Sequence, residues 1–194
     1  ESRRKRCSWC ESSQLYRDYH DQEWGVPLMD DHALFRLLML EGQQAGLAWI
    51  TVLNKRTHMD EVFFGFDPNR LATVSAKTME SWLQDSGLIR HRGKLAALVS
   101  NARCALAIAD FAEWLWSFAP PPSAHSSPVV PTETLESQAM SKALKKAGFR
   151  FVGPTICYAF MQSAGMVNDH QPECWRFKTS ERLVIKALKA RRRR

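Results

Sequence analysis

142-KALKKAGFRFVGPTICYAFMQ-162 holds two apolar-periodic segments joined by a corner too short for anything but a tight turn. Gly148 is placed to end a lysine-rich helix, because glycine reaches the left-handed backbone that closes a helix C-terminus. Phe149 to Gly153 form a short apolar hairpin. Pro154 then stands at the first position of the next helix, where its missing N–H costs nothing. Unpaired N–H groups at such a helix start can face a phosphate, with Lys142, Lys145, Lys146 and Arg150 close by in sequence. The pattern equally suits an ordinary helical hairpin whose lysines are simply solvated.

Helical periodicity extends outward from this hairpin. Apolar positions predict helices over 31–40, 58–65, 76–85, 93–108, 110–118, 136–147 and 154–165, with Asp30 or Asp31 and Ser75 as caps. A second helix-turn-helix piece, 82-WLQDSGLIRHRGKLAALVSNAR-103, places Gly87 at a helix end and Gly93 at a turn. Arg90, His91, Arg92 and Lys94 fall in the corner between them. No run alternates apolar and polar residues as a half-buried strand requires. The expected fold is all-α: one domain over 7–175 with two helical lobes joined by the proline-rich surface loop 119–134, and basic tails at 1–6 and 176–194.

The formal net charge of +7 is misleading about where that charge sits. Eight of the 27 basic residues lie in 3-RRKR-6 and 191-RRRR-194, and the remaining 19 face 20 acids. The body is therefore close to neutral, and affinity for a polyanion must come from local clustering. No apolar run approaches the ~18 residues of a membrane span. No apolar segment follows the basic N-terminus as in a signal peptide, so a reducing, cytoplasmic setting is expected, with nuclear or organellar targeting equally compatible with the tails. Five cysteines, an odd number, argue against a disulfide framework.

Metal binding is then the reading to test, with Cys7, Cys10, His20, His170 and Cys174 as the residues concerned. Cys7, His20, His170 and Cys174 would make a closed Cys₂His₂ shell of the structural-zinc type. The pair 7-CSWC-10 leaves open joint ligation by Cys7 and Cys10, and buried cysteines acting as small hydrophobes are a third reading. Cys104 and Cys157 fall on apolar helical faces and are assigned to the core. The oddest stretch is 40-LEGQQAGLAW-49, where an acid, two amides, two glycines and a tryptophan interrupt a strongly apolar run.

These stretches carry a resemblance. 16-YRDYHDQEWGVP-27, 41-EGQQAGLAWITVL-53, 87-GLIRHRGK-94, 142-KALKKAGFRFVG-153 and 168-NDH-170 occur in family order and span residues 7 to about 174. The chain resembles the 3-methyladenine DNA glycosylase I (TAG) family, a branch of the helix-hairpin-helix DNA glycosylases. The resemblance implies monofunctional hydrolysis of the N-glycosidic bond of 3-methyladenine in alkylated double-stranded DNA, as in base excision repair. It implies one structural zinc, held by Cys7, His20, His170 and Cys174 without Cys10, that joins the two ends of the chain. A monomer is expected.

The chemistry suits such residues. A base methylated at N3 is cationic while attached to the sugar and leaves neutral, so the enzyme must flip it out, recognise it and admit water. Glu41 can accept from the amine edge of such a base; Tyr16, Tyr19, Trp24 and Trp49 can wall it, with Tyr19, Trp24 and Trp49 nearest by resemblance. Gln43 and Gln44 are candidates to read the base edge or touch the opposing strand. Leu47 is the candidate to fill the gap left by the base, and Gly42 and Gly46 to let backbone approach DNA. Lys146, Arg150 and Gly153 are expected on phosphates. Asp169 adjoins a metal ligand and is assigned no catalytic role. The competing reading is a zinc-stapled lesion-binding protein without catalysis, which would have no need of an anionic pocket; no H-E-x-x-H spacing supports a zinc hydrolase.

Overall fold

The computed structural model of the chain describes residues 4–121 and 130–191, which form ten α-helices, two short 3₁₀ turns and no strand. None of these helices is long and apolar enough to cross a membrane. In order they are α1 (Gln14–Gln22), α2 (Asp31–Gln44), α3 (Trp49–Val62), α4 (Pro68–Ala72), α5 (Ala76–Gln84), α6 (Arg92–Leu106), α7 (Phe111–Trp116), α8 (Leu135–Lys146), α9 (Pro154–Ser163) and α10 (Phe177–Arg191).

Asp30 and Ser75, offered as caps by the sequence, do cap, and the structure adds a capping box at Thr134. Asp30 accepts from the Ala33 N–H, Ser75 from Thr78, and Thr134 and Ser137 form a reciprocal box at the start of α8. α2 is the central helix and touches α3, α6, α7 and α9. Leu34, Phe35, Leu38, Met39 and Leu40 bury almost every face of it, as a helix apolar all round must.

The opening hairpin is built as its sequence suggests. α8 closes in a Schellman motif: Phe149 N–H reaches the Leu144 carbonyl, Gly148 N–H reaches Lys145, and Gly148 has φ +96°. Pro154 opens α9 with Gly153 as its cap. Buried Asn101 of α6 pins the corner from beneath, accepting from the Arg150 N–H at 2.9 Å and donating to its carbonyl at 3.0 Å. Ser141 donates to the Val152 carbonyl at 2.6 Å. Phe151, between them, sits in the left-handed region at φ +58°, a conformation a bulky residue holds only where its surroundings impose it.

Several expectations are corrected. The helix expected over 31–40 runs on to Gln44, so Glu41, Gly42, Gln43 and Gln44 are helical and the break is 45–48. The helix expected at 58–65 begins at Trp49 and ends at Val62. Gly93 lies inside α6, and His91, not a glycine turn, caps that helix by accepting from the Lys94 N–H. The C-terminal segment expected as a tail is α10 as far as Arg191. Ser180, Val184 and Leu188, spaced i, i+4, i+8, bury one face of it, and Arg191 bonds Glu113 and the Trp116 carbonyl. Its many basic residues hide that apolar stripe in the sequence. The N-terminal segment is also engaged: Arg6 grips Asp21 with three hydrogen bonds and Arg4 lies over the Trp175 ring. Residues 122–129 of the proline-rich loop lie outside the described residues.

Candidate functional site

Two constellations meet at α1. The first gathers Cys7, His20, His170 and Cys174, all buried, with their ligand atoms within 4.8 Å of one another. His20 Nε2 is 3.2 Å from His170 Nδ1 and 3.4 Å from Cys174 Sγ; His170 Nδ1 is 3.6 Å from Cys7 Sγ and 3.7 Å from Cys174 Sγ. These four separations are close to the edges of a tetrahedron with metal–nitrogen bonds of about 2.0–2.1 Å and metal–sulfur bonds of about 2.3 Å. The surroundings suit thiolates and neutral imidazoles. Cys7 Sγ receives the Gln171 N–H and Cys174 Sγ the Arg176 N–H. His20 Nδ1 is 2.8 Å from Asp21, which Arg6 and the Trp175 indole fix in turn. The four residues can hold a metal ion. Cys10 stands apart and donates its S–H to the Cys7 carbonyl, which disfavours joint ligation by the C-x-x-C pair.

The second constellation is a cavity of about 340 Å³, a volume suited to one small flat ligand. Its walls include Tyr16, Tyr19, Trp24 and Trp49, with Glu41 and Gln44 from α2. Trp9 also lines it, edge-on to Tyr16 at 5.1 Å and to Trp24 at 5.0 Å. Tyr19 lies 5.5 Å from Trp49. A bidentate Arg56–Glu23 pair ties α3 to the chain just beyond α1, so that both tyrosine and tryptophan are held from behind.

Glu41 is the chemical focus. It is 3% exposed, and its Oε1 accepts from Ser163 Oγ at 2.9 Å. Among the described residues no basic group offsets its charge; burial pushes the carboxyl up to about 8, with the Ser163 hydrogen bond pulling the other way. A buried carboxylate held without a counter-ion costs stability, so its presence in a cavity lined by aromatic faces marks a place for a cationic or donor-rich ligand. Asp169 borders the same cavity, but its Oδ2 already accepts from Tyr158 at 2.5 Å and Gln162 at 2.9 Å.

The DNA-side candidates separate into two groups. Lys146 and Arg150 are exposed at the hairpin, and the space where a Gly153 side chain would project is empty, which leaves the N-terminus of α9 open. In the 45–48 break, Gln44 Nε2 bonds the Leu47 carbonyl at 2.6 Å and holds Leu47 out at 36% exposure. Gln43 does not join them. Its side chain is buried against α6, with Nε2 on the Lys94 carbonyl, because it lies on the inner face of α2 one residue before the helix turns outward. Gly42 serves packing rather than DNA approach: a Cβ there would sit 3.4 Å from the Phe151 carbonyl. Lys94 is equally internal. Its ammonium donates to the Gln43 and Ala45 carbonyls at 2.8 and 2.6 Å, neutralising the C-terminal end of α2.

Sequence reasoning missed Trp9, Gln162, Ser163 and Val130 as wall residues. Trp9 sits between the two cysteines of CSWC, where the metal reading absorbed it. Ser163 and Gln162 lie four or five residues past buried Tyr158, on the helical face that leads to Asp169, a cue that is visible only once α9 is known to line a cavity.

Comparison with known proteins agrees with this geometry. A family model described as methyladenine glycosylase matches residues 9–177. A Haemophilus influenzae protein named DNA-3-methyladenine glycosylase is 50% identical over 177 residues, covering 87% of this chain and 96% of its own length. Escherichia coli DNA-3-methyladenine glycosylase 1 is 48% identical over 178 residues, covering 88% and 95%. Among solved structures, a crystal structure of 3-methyladenine DNA glycosylase I (TAG) superposes with a TM-score of 0.85 at 49% identity, covering 88% of this chain and 98% of that one. A tyrosine-to-phenylalanine variant of 3-methyladenine DNA glycosylase I in complex with 3-methyladenine superposes at 0.80, with 32% identity and coverage of 89% and 97%.

Proposed function

We infer, from the fact that this chain belongs to the methyladenine glycosylase family, that it is a DNA glycosylase that hydrolyses the N-glycosidic bond of 3-methyladenine in alkylated DNA. The observation that carries the reading within this chain is Glu41, a buried carboxylate without a counter-ion facing an aromatic cavity of base size. A base that carries positive charge supplies the missing partner. Its binding favours the ionised carboxylate, and hydrogen bonds to that charge are worth about 1.5–3 kcal/mol. Trp49, Tyr19 and Trp24 offer ring faces to the same cation, worth roughly 0.5–2 kcal/mol each.

Catalysis then needs little proton transfer. The cationic base departs neutral with the electrons of the broken glycosidic bond, and a water molecule adds to the sugar C1′ and gives up a proton to solvent, so the pocket works mainly by selecting the flipped nucleotide and admitting that water. Asp169, with one oxygen already committed to Tyr158 and Gln162, is a scaffold for the cavity floor rather than a free base. The duplex is held by backbone and charge: Lys146 and Arg150 face phosphates beside the open start of α9, and Leu47 enters the space the base vacates, propped by Gln44.

The Cys₂His₂ cluster holds one zinc ion through Cys7, His20, His170 and Cys174. The donor set is that of a structural site, and four protein ligands leave no position for water. When bound, the ion supplies no chemistry to the base; it ties the segment before α1 to the segment after α9. Incubating the protein with methylated DNA and separating the released bases tests the function. 3-Methyladenine release is expected, and Glu41→Gln is expected to lower it at least 100-fold while abasic-site DNA still binds. A wild-type chain that releases no base, or a Glu41→Gln variant as fast as wild type, overturns the reading.

A further inference from the structure

Ser163 lies at the last turn of α9, 6% exposed, with its hydroxyl between the two polar groups of the cavity wall. Oγ is 2.9 Å from Glu41 Oε1 and 3.1 Å from the Tyr19 hydroxyl. A serine hydroxyl has one proton to give, and Glu41, once a bound cationic base holds it ionised, can only accept. The Ser163 proton therefore goes to Glu41, which leaves Oγ as the acceptor for the Tyr19 proton. The order Tyr19 → Ser163 → Glu41 fixes the direction of every bond in the chain, and bonds aligned in this way strengthen one another.

We propose that Ser163 is a positioning residue that sets the polarity of the pocket, so that Glu41 and Tyr19 both meet the bound base as acceptors and select an amino edge over a carbonyl edge. The proposal rests on the reading of this cavity as the base site. Tyr19 has spent its only proton on Ser163, and its oxygen offers lone pairs alone. An exocyclic amine satisfies both oxygens. A keto base would set a carbonyl oxygen against them, and Glu41 could donate to it only in its protonated form, which the Ser163 hydrogen bond disfavours. Without the Ser163 hydroxyl the Tyr19 proton is free to turn toward the ligand, and Glu41 loses the hydrogen bond from Ser163.

The ionisable groups facing Glu41 are few. Tyr16 and Tyr19 come from α1 and Asp169 from the segment after α9, while the Arg56–Glu23 pair stands behind the Tyr19 ring. Among the described residues none is a cation directed at the carboxylate, and the Ser163 hydrogen bond is the influence there that favours its charged form.

The test follows the Glu41 carboxyl by ¹³C NMR titration in ligand-free wild type, Ser163→Ala and Ser163→Thr. The midpoint is expected to rise by about one pH unit in Ser163→Ala, a roughly tenfold change in acidity, and to return in Ser163→Thr, which keeps the hydroxyl. Tryptophan fluorescence then reads binding of 3-methyladenine against 3-methylhypoxanthine, its keto counterpart. Wild type and Ser163→Thr are expected to prefer the amino base at least tenfold, and Ser163→Ala no more than about threefold. An unchanged carboxyl midpoint in Ser163→Ala, or undiminished amino preference, overturns the proposal. Ser163→Cys, a weaker donor, gives an intermediate midpoint and serves the same purpose should the alanine variant fold poorly. The titration needs no substrate, so a wild-type chain inactive on methylated DNA refutes the glycosylase reading while Ser163 is still judged on the carboxyl.

Discussion

Tyr19 and His20 are neighbours in α1, and Asp169 and His170 are neighbours after α9, yet each pair divides its side chains between two sites of opposite character. His20 and His170 enter the Cys/His cluster, where potential ligand atoms face one another and both sulfurs receive backbone N–H groups. Tyr19 and Asp169 turn to the cavity, where Glu41 is buried against one hydroxyl and no cation. One site is saturated and the other is deliberately short of partners. The difference teaches where this molecule stores stability and where it gives stability up: the cluster fixes the two backbone segments, and that rigidity lets the adjacent pocket keep an unsatisfied carboxylate without collapsing onto it.

Breaking the saturated side has the largest expected effect. Cys174→Ser, or exhaustive chelation of wild type, removes the link between the two ends of the chain. A stability loss of about 5 kcal/mol or more is expected, given that structural zinc contributes folding energy outright, together with a fall in Tm of more than about 10 °C. Calorimetry with and without chelator reads this. A chelated protein that melts as before would mean that the cluster holds no metal, and the comparison would lose its first half. Activity should fall in parallel with unfolding and not before it.

The unsaturated side should respond in the opposite sense. The folded-state pKa of Glu41 is raised to about 8, above its unfolded value, so the stability its protonation lends is complete at acidic pH and is lost as pH rises through about 8. Glu41→Gln stays neutral throughout. It should match wild type in urea melts near pH 4 and exceed it by roughly 4–5 kcal/mol above pH 8, even as base release collapses. A stability difference that does not grow with pH would show that Glu41 is not the strained group described here.

The smallest effects belong to the hairpin. Lys146→Ala and Arg150→Ala should each weaken duplex binding without changing folding or the preference for the methylated base. Each should reduce the slope of log K against log salt by about 1. Equal slopes in variant and wild type would remove these residues from the phosphate path.

Much of this comparison was legible before any coordinates. The hairpin could be read because glycine and proline act locally: Gly148 at φ +96° and Pro154 at the first helical position need no tertiary context. The periodic helices and the caps at Asp30 and Ser75 are local in the same way. What escaped was burial. Gln43 and Gln44 are adjacent amides in one motif, yet one points at Lys94 and the other holds Leu47 toward solvent. Lys94 stands among basic residues in the sequence, and it is buried across the end of α2. The basic residues of α10 obscured the stripe of Ser180, Val184 and Leu188 that docks it.

The sequence by itself therefore determined the helical class and the hairpin, because both depend on contacts within a turn or two of chain; it offered the Cys/His residues and the acid at 41, and the family resemblance singled them out as a ligand set and a base acceptor. Only the tertiary structure decided which polar side chains are pocket, which are cap and which are packing. Those roles depend on residues far apart in sequence being brought within a few ångströms: Ser163 is 122 positions from Glu41 and 144 from Tyr19, and its hydroxyl bonds both. A serine in an apolar helix carries no sign of that in its neighbours, since its partners are supplied by the way α1 and α2 close over α9.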